Sequence, residues 1–477
     1  MRRVIAPFSS LAFVCALALA APAQVNPPVP PPSSGPVNPP GSVVTPSPGG
    51  SVAPAPVPPT ESPASPAPTE PASPAPLATP TQPPIIVEPP QLNIEPGKTA
   101  AARVNGSLGA VTATVADPTV ATIVIDQAQR VIYVSGAKVG TTTVTVTDSR
   151  GVTRDVAVRV AYAAGTVAEE TTVRVTGNPT SAEYLRSAIA DAVERAATLR
   201  SGASVNVTPE TVPLHGDLKL DNRTEVDVPV QILGNGYLPV SGTTHVVVEN
   251  TALPPIQPAR LLVSDYPERL TANGVLFTAR LDRTQGQRFL YYHYNPGTEP
   301  SRRILLKVRN TSSAPATVQM IDGIAGPGAN EMEVGHLSTK RFLVREARNE
   351  GQVMTIAPGA TMNVVDHPLP PQSVVSGILQ LRLVSGDPVD LALVAQDALA
   401  PLDQSVDTTV LLAGGAPHAR GVYPVPTFFF DRTYDVDGAD LDIAIGQLPL
   451  PNLRQGEALS GDYGVEQSMS VVIVNMT

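Results

Sequence analysis

The sequence predicts a mainly β protein made of tandem sandwich domains with one β–α–β insertion, preceded by a signal peptide and a disordered proline-rich linker. Three observations carry this prediction. Short runs that alternate apolar and polar residues recur from Ile85 onward, with Pro, Gly, Asp and Asn between them. Only one stretch, residues 180–200, repeats its apolar residues at helical spacing. Finally, 23 of the 61 residues from Gln24 to Pro84 are proline, a composition that cannot bury a core.

The N-terminus sets the compartment. Met1-Arg2-Arg3 is a short basic start, Val4 to Ala20 is mostly apolar, and Ala21-Pro22-Ala23 ends in small residues, so residues 1–23 read as a signal peptide. Pro7, Ser9 and Ser10 interrupt the apolar run, which disfavours a retained membrane helix, and no later stretch approaches the roughly 18 apolar residues a span needs. The one cysteine, Cys15, falls inside this segment behind Val14, which does not suit a lipoprotein cleavage site. The mature chain therefore has no disulfide, no thiolate nucleophile and no cysteine-ligated metal, and bacterial secretion to the periplasm or cell surface fits it best. Without Arg2 and Arg3 there are 30 basic against 42 acidic side chains, a formal charge of −12. With no run of Lys and Arg, such a chain is not expected to bind nucleic acid. The absence of tryptophan disfavours an aromatic carbohydrate platform.

Residues 24–84 read either as a disordered linker or as a polyproline stalk, and fully extended they would reach about 190 Å at about 3.1 Å per residue. From Ile85 the text becomes strand-like. "LNIEPGKTAAARV" has a Pro-Gly turn, "VADPTVATIVI" has Asp117-Pro118, and "RVIYVSGAKVGTTTVTVTD" alternates threonine and valine behind a glycine-containing turn. Val144 and Val146 should face a core, with Gly136 and Gly140 supplying backbone freedom at the turn. Residues 85–162 resemble bacterial Ig-like domains of the Big2 type and are similar to the N-terminal domain of pilus assembly and pilus formation proteins. Gly136, Gly140, Thr141, Val144 and Val146 carry that resemblance. It implies an Ig-like sandwich and a role in pilus assembly or surface adhesion, although no secretin pore domain is recognisable downstream.

Residues 163–260 read as a β domain with one helix at 180–200. Thr180 is the expected cap, with Glu183 three residues on. Leu185, Ala188, Ile189, Ala192, Val193 and Ala196 form its apolar stripe, and Gly202 follows it. A β-sandwich is expected at 261–402 and a partial or C-terminal β domain at 403–477. Three runs ending in Asn222, Asn310 and Asn475 resemble one another, each an alternating strand leading into an Asn-Thr type turn, which suggests two or three further Ig-like units. The last strand, ending near Thr477, is either part of an interrupted domain or available for strand addition.

Catalytic material is sparse. His215, His245, His293, His336, His367 and His418 are scattered without a metal-ligand spacing. No Gly-x-Ser-x-Gly elbow occurs. "GIAGPGANEMEVGH" is glycine-rich, but without the Lys-Ser/Thr of a phosphate loop it reads as a long surface loop. Only Asp435, Asp437, Asp440 and Asp442, set around Gly438, offer hard oxygen ligands of the kind calcium takes; a β-hairpin with an Asp-Gly turn explains them equally well. The expected protein is a non-enzymatic structural or interaction component of the bacterial envelope, with other envelope or surface proteins as partners and no cofactor besides a possible Ca²⁺. A calcium- or carbohydrate-binding module is the alternative, and an envelope hydrolase ranks behind both.

Overall fold

A computed structural model of the chain describes residues 11–13, 83–283, 286–413 and 418–475. The expected signal peptide and linker therefore lie outside the described residues, apart from Leu11–Phe13 and the end of the proline tract at 83–84.

The first module contains β1 (Ile86–Glu88), β2 (Gln91–Ile94), β3 (Thr99–Asn105), β4 (Thr112–Val115), β5 (Ala121–Asp126), β6 (Val131–Gly136), β7 (Gly140–Thr147) and β8 (Thr153–Val160). They form two four-stranded sheets, ordered β1-β3-β6-β5 and β2-β8-β7-β4, around a core of Val, Ile and Leu. The alternation decides this arrangement: Val144 and Val146 are buried, as are Val156, Val158 and Val160 of the neighbouring strand, while the residues between them face outward. The Asp117-Pro118 turn is held by the Asp117 carboxylate, which accepts from the Thr119 amide at 2.9 Å. Gly136 and Gly140 are not needed for a left-handed backbone. A side-chain carbon on Gly136 would stand 2.9 Å from the Glu95 carbonyl, and one on Gly140 would stand 2.9 Å from Val120, so these glycines serve close packing of the two sheets.

Next come β9 (Glu170–Thr176), α1 (Ala182–Ala196), β10 (Ala203–Asn206), β11 (Arg223–Gly234) and β12 (Val240–Asn250). β9 and β12 are parallel neighbours, β11 pairs antiparallel with β12, and β10 pairs antiparallel with β11. α1 buries Leu185, Ala188, Ile189, Ala192 and Val193 of its expected stripe against this sheet. Its cap is Ser181 rather than Thr180. Thr180 is already committed, because its backbone bridges Leu218 and its hydroxyl donates to the Thr176 carbonyl.

The rest of the chain supplies β13 (Arg260–Ser264), β14 (Gly274–Leu281), β15 (Gln287–Asn295), β16 (Arg302–Arg309), β17 (Ala316–Gly328), α2 (Glu331–Ala347), β18 (Gly351–Ile356), β19 (Thr361–Leu369), β20 (Ser373–Ser385), β21 (Val389–Asp397), β22 (Arg420–Tyr423), β23 (Thr427–Asp435) and β24 (Glu466–Val474). A four-stranded sheet, β14-β21-β16-β19, faces the far end of a ten-stranded sheet ordered β10-β11-β12-β9-β18-β17-β20-β15-β13-β22. Their shared core holds Phe277, Phe289, Tyr291 and many Leu and Val side chains. This sheet crosses both expected boundaries near 260 and 402: β18 joins β9 on one side, and β22 pairs with β13 on the other. β23 and β24 form a parallel ribbon, and Leu11–Phe13 lies antiparallel along β24.

Two sequence expectations change here. The segment read as a long loop is the end of β17 followed by helix α2. Asn330 caps that helix by accepting from the Met332 and Glu333 amides, and α2 lies directly on Gly323, where any side chain would overlap the Phe342 amide and the Ser338 carbonyl. The Ser338 hydroxyl donates to the Gly323 carbonyl at 2.7 Å. Docking of this kind lets a sequence with Gly335, Ser338 and Thr339 stay helical in spite of weak propensity. The Asn repeat is not a structural repeat either. Asn222 precedes β11 and the run before it makes only an isolated bridge at Leu218, whereas Asn310 follows β16 and its side-chain amide donates to the carbonyls of Ala314 and Ile356.

Candidate functional site

The four candidate calcium ligands do not assemble. Asp435 closes β23, and its carboxylate accepts from the Asp437 amide at 3.2 Å while its carbonyl accepts from Gly438 at 3.0 Å. Asp437, Asp440 and Asp442 are exposed, and among the described residues no three His, Cys, Asp or Glu side chains lie together as a metal-binding group. One Asp435 carboxylate oxygen thus serves the turn, and the other three carboxylates stand exposed to solvent.

The buried histidines are structural in geometry. His293 lies on β15 with Nδ1 3.0 Å from the Pro267 carbonyl and Nε2 3.2 Å from the Ser264 hydroxyl. Burial pushes its pKa down to about 4, so the neutral ring donates to Pro267 and accepts from Ser264. This serine–histidine pair was not legible in the sequence, and both residues are fully enclosed, which denies a substrate any approach. His367 is also driven down to about 4 by burial and meets the Tyr291 hydroxyl at 3.1 Å.

What the chain does build is a large cleft of about 2030 Å³ between α1 and β9 on one side and β16, β18, β19, β21 and residues 398–408 on the other. Ten Arg and Lys side chains and seven carboxylates line it, a cationic excess in a chain of net charge −10. Arg303 pairs with Asp366 at 2.8 Å, Arg345 with Asp322 at 2.6 Å, and Arg195 donates to Gln352 at 2.9 Å. Asp191 and Glu194 of α1 open onto cleft water yet are ringed by protein. That crowding pushes Asp191 up to about 6, against the pull of Arg195, and raises Glu194 as well. Burial raises Asp366 on the opposite wall and lowers Lys307, whose ammonium donates to the Leu402 and Gln404 carbonyls. Tyr184 is nearly sealed in the wall; the Arg345 guanidinium stacks on its ring at 4.7 Å, and its hydroxyl has no hydrogen-bond partner.

The cleft follows from how β9 and β18 meet. They pair only at Val175↔Gln352 and Thr176↔Gly351, then diverge, so that Thr171–Arg174 and Val353–Ile356 become cleft wall. The vertex is tightly bonded. The Thr176 hydroxyl donates to the Asn349 carbonyl at 2.6 Å and accepts from the Gly351 amide and the Gln319 side chain. Buried Glu350 accepts from the amide and hydroxyl of Ser181. None of this was visible in sequence, because the cations come from segments up to 280 residues apart and never form a run.

The first module carries a separate exposed feature. Val124 and Tyr133 face each other across β5 and β6 on the outer surface, 69% and 38% exposed. At the end of β7, the Asp148 carboxylate is enclosed and ties two loops together. It accepts from the amides of Leu108, Arg150 and Val152 and from the Arg150 guanidinium at 2.7 Å. Desolvation works against the charge, but these donors outweigh it and hold the carboxyl down at about 2.

Among the described residues, no helix is long and apolar enough to cross a membrane. Residues 88–161 match the family model of the pilus formation protein N-terminal region. No curated protein matches the chain. Among solved structures, domains 4 and 5 of the S-layer protein SbsC align at 20% identity over 16% of this chain and 50% of that one, with a TM-score of 0.14. The chain thus spans about half the length of that structure. SbsC domains 5–6 align at 17% identity over 35% of this chain and 97% of theirs, with a TM-score of 0.16. The human desmocollin-1 ectodomain aligns at 10% identity over 44% and 49%, with a TM-score of 0.14. The likeness to the pilus formation N-terminal region rests on one segment, residues 88–161, which has its own core.

Proposed function

We propose that this protein is a non-enzymatic component of the bacterial envelope that serves pilus assembly through protein–protein contacts of its Ig-like module, with the proline-rich segment 24–84 giving the module reach. The match of residues 88–161 to the pilus formation N-terminal region carries the reading, because it coincides with a separately cored module. The exposed Val124–Tyr133 pair supports it by offering an apolar contact on the outer sheet face. In the source bacterium, Val124→Asp with Tyr133→Asp should sharply reduce surface pili counted by electron microscopy while the protein stays at its normal level. A photo-crosslinker at position 124 should couple to the pilus channel protein of the outer membrane. Normal piliation in cells lacking residues 85–162 would refute the reading.

A further inference from the structure

The wedge between β9 and β18 is an unfinished piece of sheet. Continuing their antiparallel register would place Arg174 opposite Val353, Val173 opposite Met354 and Thr172 opposite Thr355, yet these residues are not paired with one another. β9 is bonded to β12 on its other side and β18 to β17 on its other side, so each strand turns one open edge into the cleft. Such edges carry rows of amide and carbonyl groups that accept a further strand. The two edges meet only at the bonded vertex of Thr176, Gly351 and Glu350.

The charge lining the wedge indicates what kind of strand fits. Six of the cleft's ten cationic side chains, Arg195, Arg200, Lys307, Arg309, Arg341 and Arg454, have no carboxylate within salt-bridge distance among the described residues. Arg309 is exposed at the end of β16 with no hydrogen-bond or ion partner among those residues, and Arg341 projects from α2 with only the Ile324 carbonyl as a partner. An acidic chain that gathers its unpaired cations beside two open strand edges has built complementarity to an extended anionic peptide.

We propose that the cleft binds an extended, acidic polypeptide segment of a partner protein, which adds as a strand to the open edge of β9 or β18 and sets its carboxylates against Arg309, whose neighbour Asn310 donates to the Ile356 carbonyl at the end of β18. The inference uses none of the residues of the Ig-like module, so it stands or falls separately from the pilus reading. The probe is a fluorescent peptide of alternating Glu and Val, with three controls: the same peptide N-methylated at alternate residues, a Lys-Val counterpart, and a single-stranded oligonucleotide of equal charge. The full chain should bind the Glu-Val peptide saturably, with slowed hydrogen exchange at 171–174 and 353–355. N-methylation and Arg309→Glu should each weaken binding about tenfold or more, because a lost ladder and a reversed charge each remove about 1.4 kcal/mol or more. The Lys-Val peptide should not bind. Equal binding of the N-methylated peptide or of the oligonucleotide would overturn the proposal in favour of a simple polyanion site, and unchanged exchange at both edges under saturating peptide would overturn it outright.

Discussion

Arg288 links three elements around the sandwich. It is 1% exposed, yet it donates to Glu346 of α2 at 2.7 Å, to Glu466 of β24 at 3.1 Å and to the Pro426 carbonyl at 2.9 Å, and its guanidinium lies 5.2 Å from the centre of the Phe342 ring. One cation therefore ties β15 to α2 and to the C-terminal ribbon. Arg288→Met keeps most of the volume but leaves two carboxylates facing each other with no counter-charge. Three hydrogen bonds donated by a charged group, two to carboxylates and one to a carbonyl, are lost from a buried site, a destabilisation of about 3–5 kcal/mol. In a unit that spans residues 85–477 that corresponds to a fall in Tm of about 5 °C. Tyrosine fluorescence suits the unfolding assay, since the chain has 11 tyrosines and no tryptophan. The pH dependence has a defined sign. Desolvation already raises the Glu346 carboxyl, Arg288 opposes that rise and Glu466 adds to it. Removing Arg288 raises it further, and a raised carboxyl contributes stability below its unfolded pKa that is lost as pH climbs through the folded one. The penalty of Arg288→Met should therefore be smaller near pH 4.5 than near pH 7.5, and Glu346→Gln with Glu466→Gln should restore part of the lost stability. A penalty that stays below about 1 kcal/mol, or one that the double neutralisation deepens, would refute the reasoning.

Three further outcomes are expected. Asp148→Asn should loosen the Ig-like module, read as faster hydrogen exchange at 107–109 and 148–153. Because the folded carboxyl sits near 2, below its ordinary 3.8, its stabilisation is present above 3.8 and lost as pH falls toward 2, and the variant should lack that acid limb. Gly323→Ala should push α2 off its sheet at a cost of about 1–3 kcal/mol, with exchange at 331–347 rising more than in the sheet beneath; unchanged exchange would contradict the close backbone contact. Millimolar calcium, or its chelation, should leave the Tm unchanged, because Asp435 is committed to its own turn; a clear upward shift with calcium would reinstate a site at the four aspartates.

Much of the β architecture was legible because strand burial is written every second residue. Val144, Val146, Val156, Val158 and Val160 declare their core face without knowledge of their partners. Helix α1 was legible for the same reason at its own period, and only its cap shifted by one residue, since Thr180 was taken by a bridge to Leu218 that no local pattern records. Helix α2 was not legible: its stability comes from Gly323, a glycine on another element that admits the helix backbone, so Gly335 and Ser338 read as loop residues until the contact exists. Nor could the calcium reading be decided from spacing, because an aspartate near a glycine serves a turn or a metal equally well. By itself, the sequence determined the strand-rich class and the module at 85–162, both of which rest on composition and local periodicity. Only the tertiary structure decided that one sheet runs through ten strands, that β9 and β18 splay after two pairs, and that cations dispersed through the chain meet in one cleft. The physical reason is that strand pairing and charge clustering are relations between distant segments, set by packing and register rather than by the neighbours of any one residue.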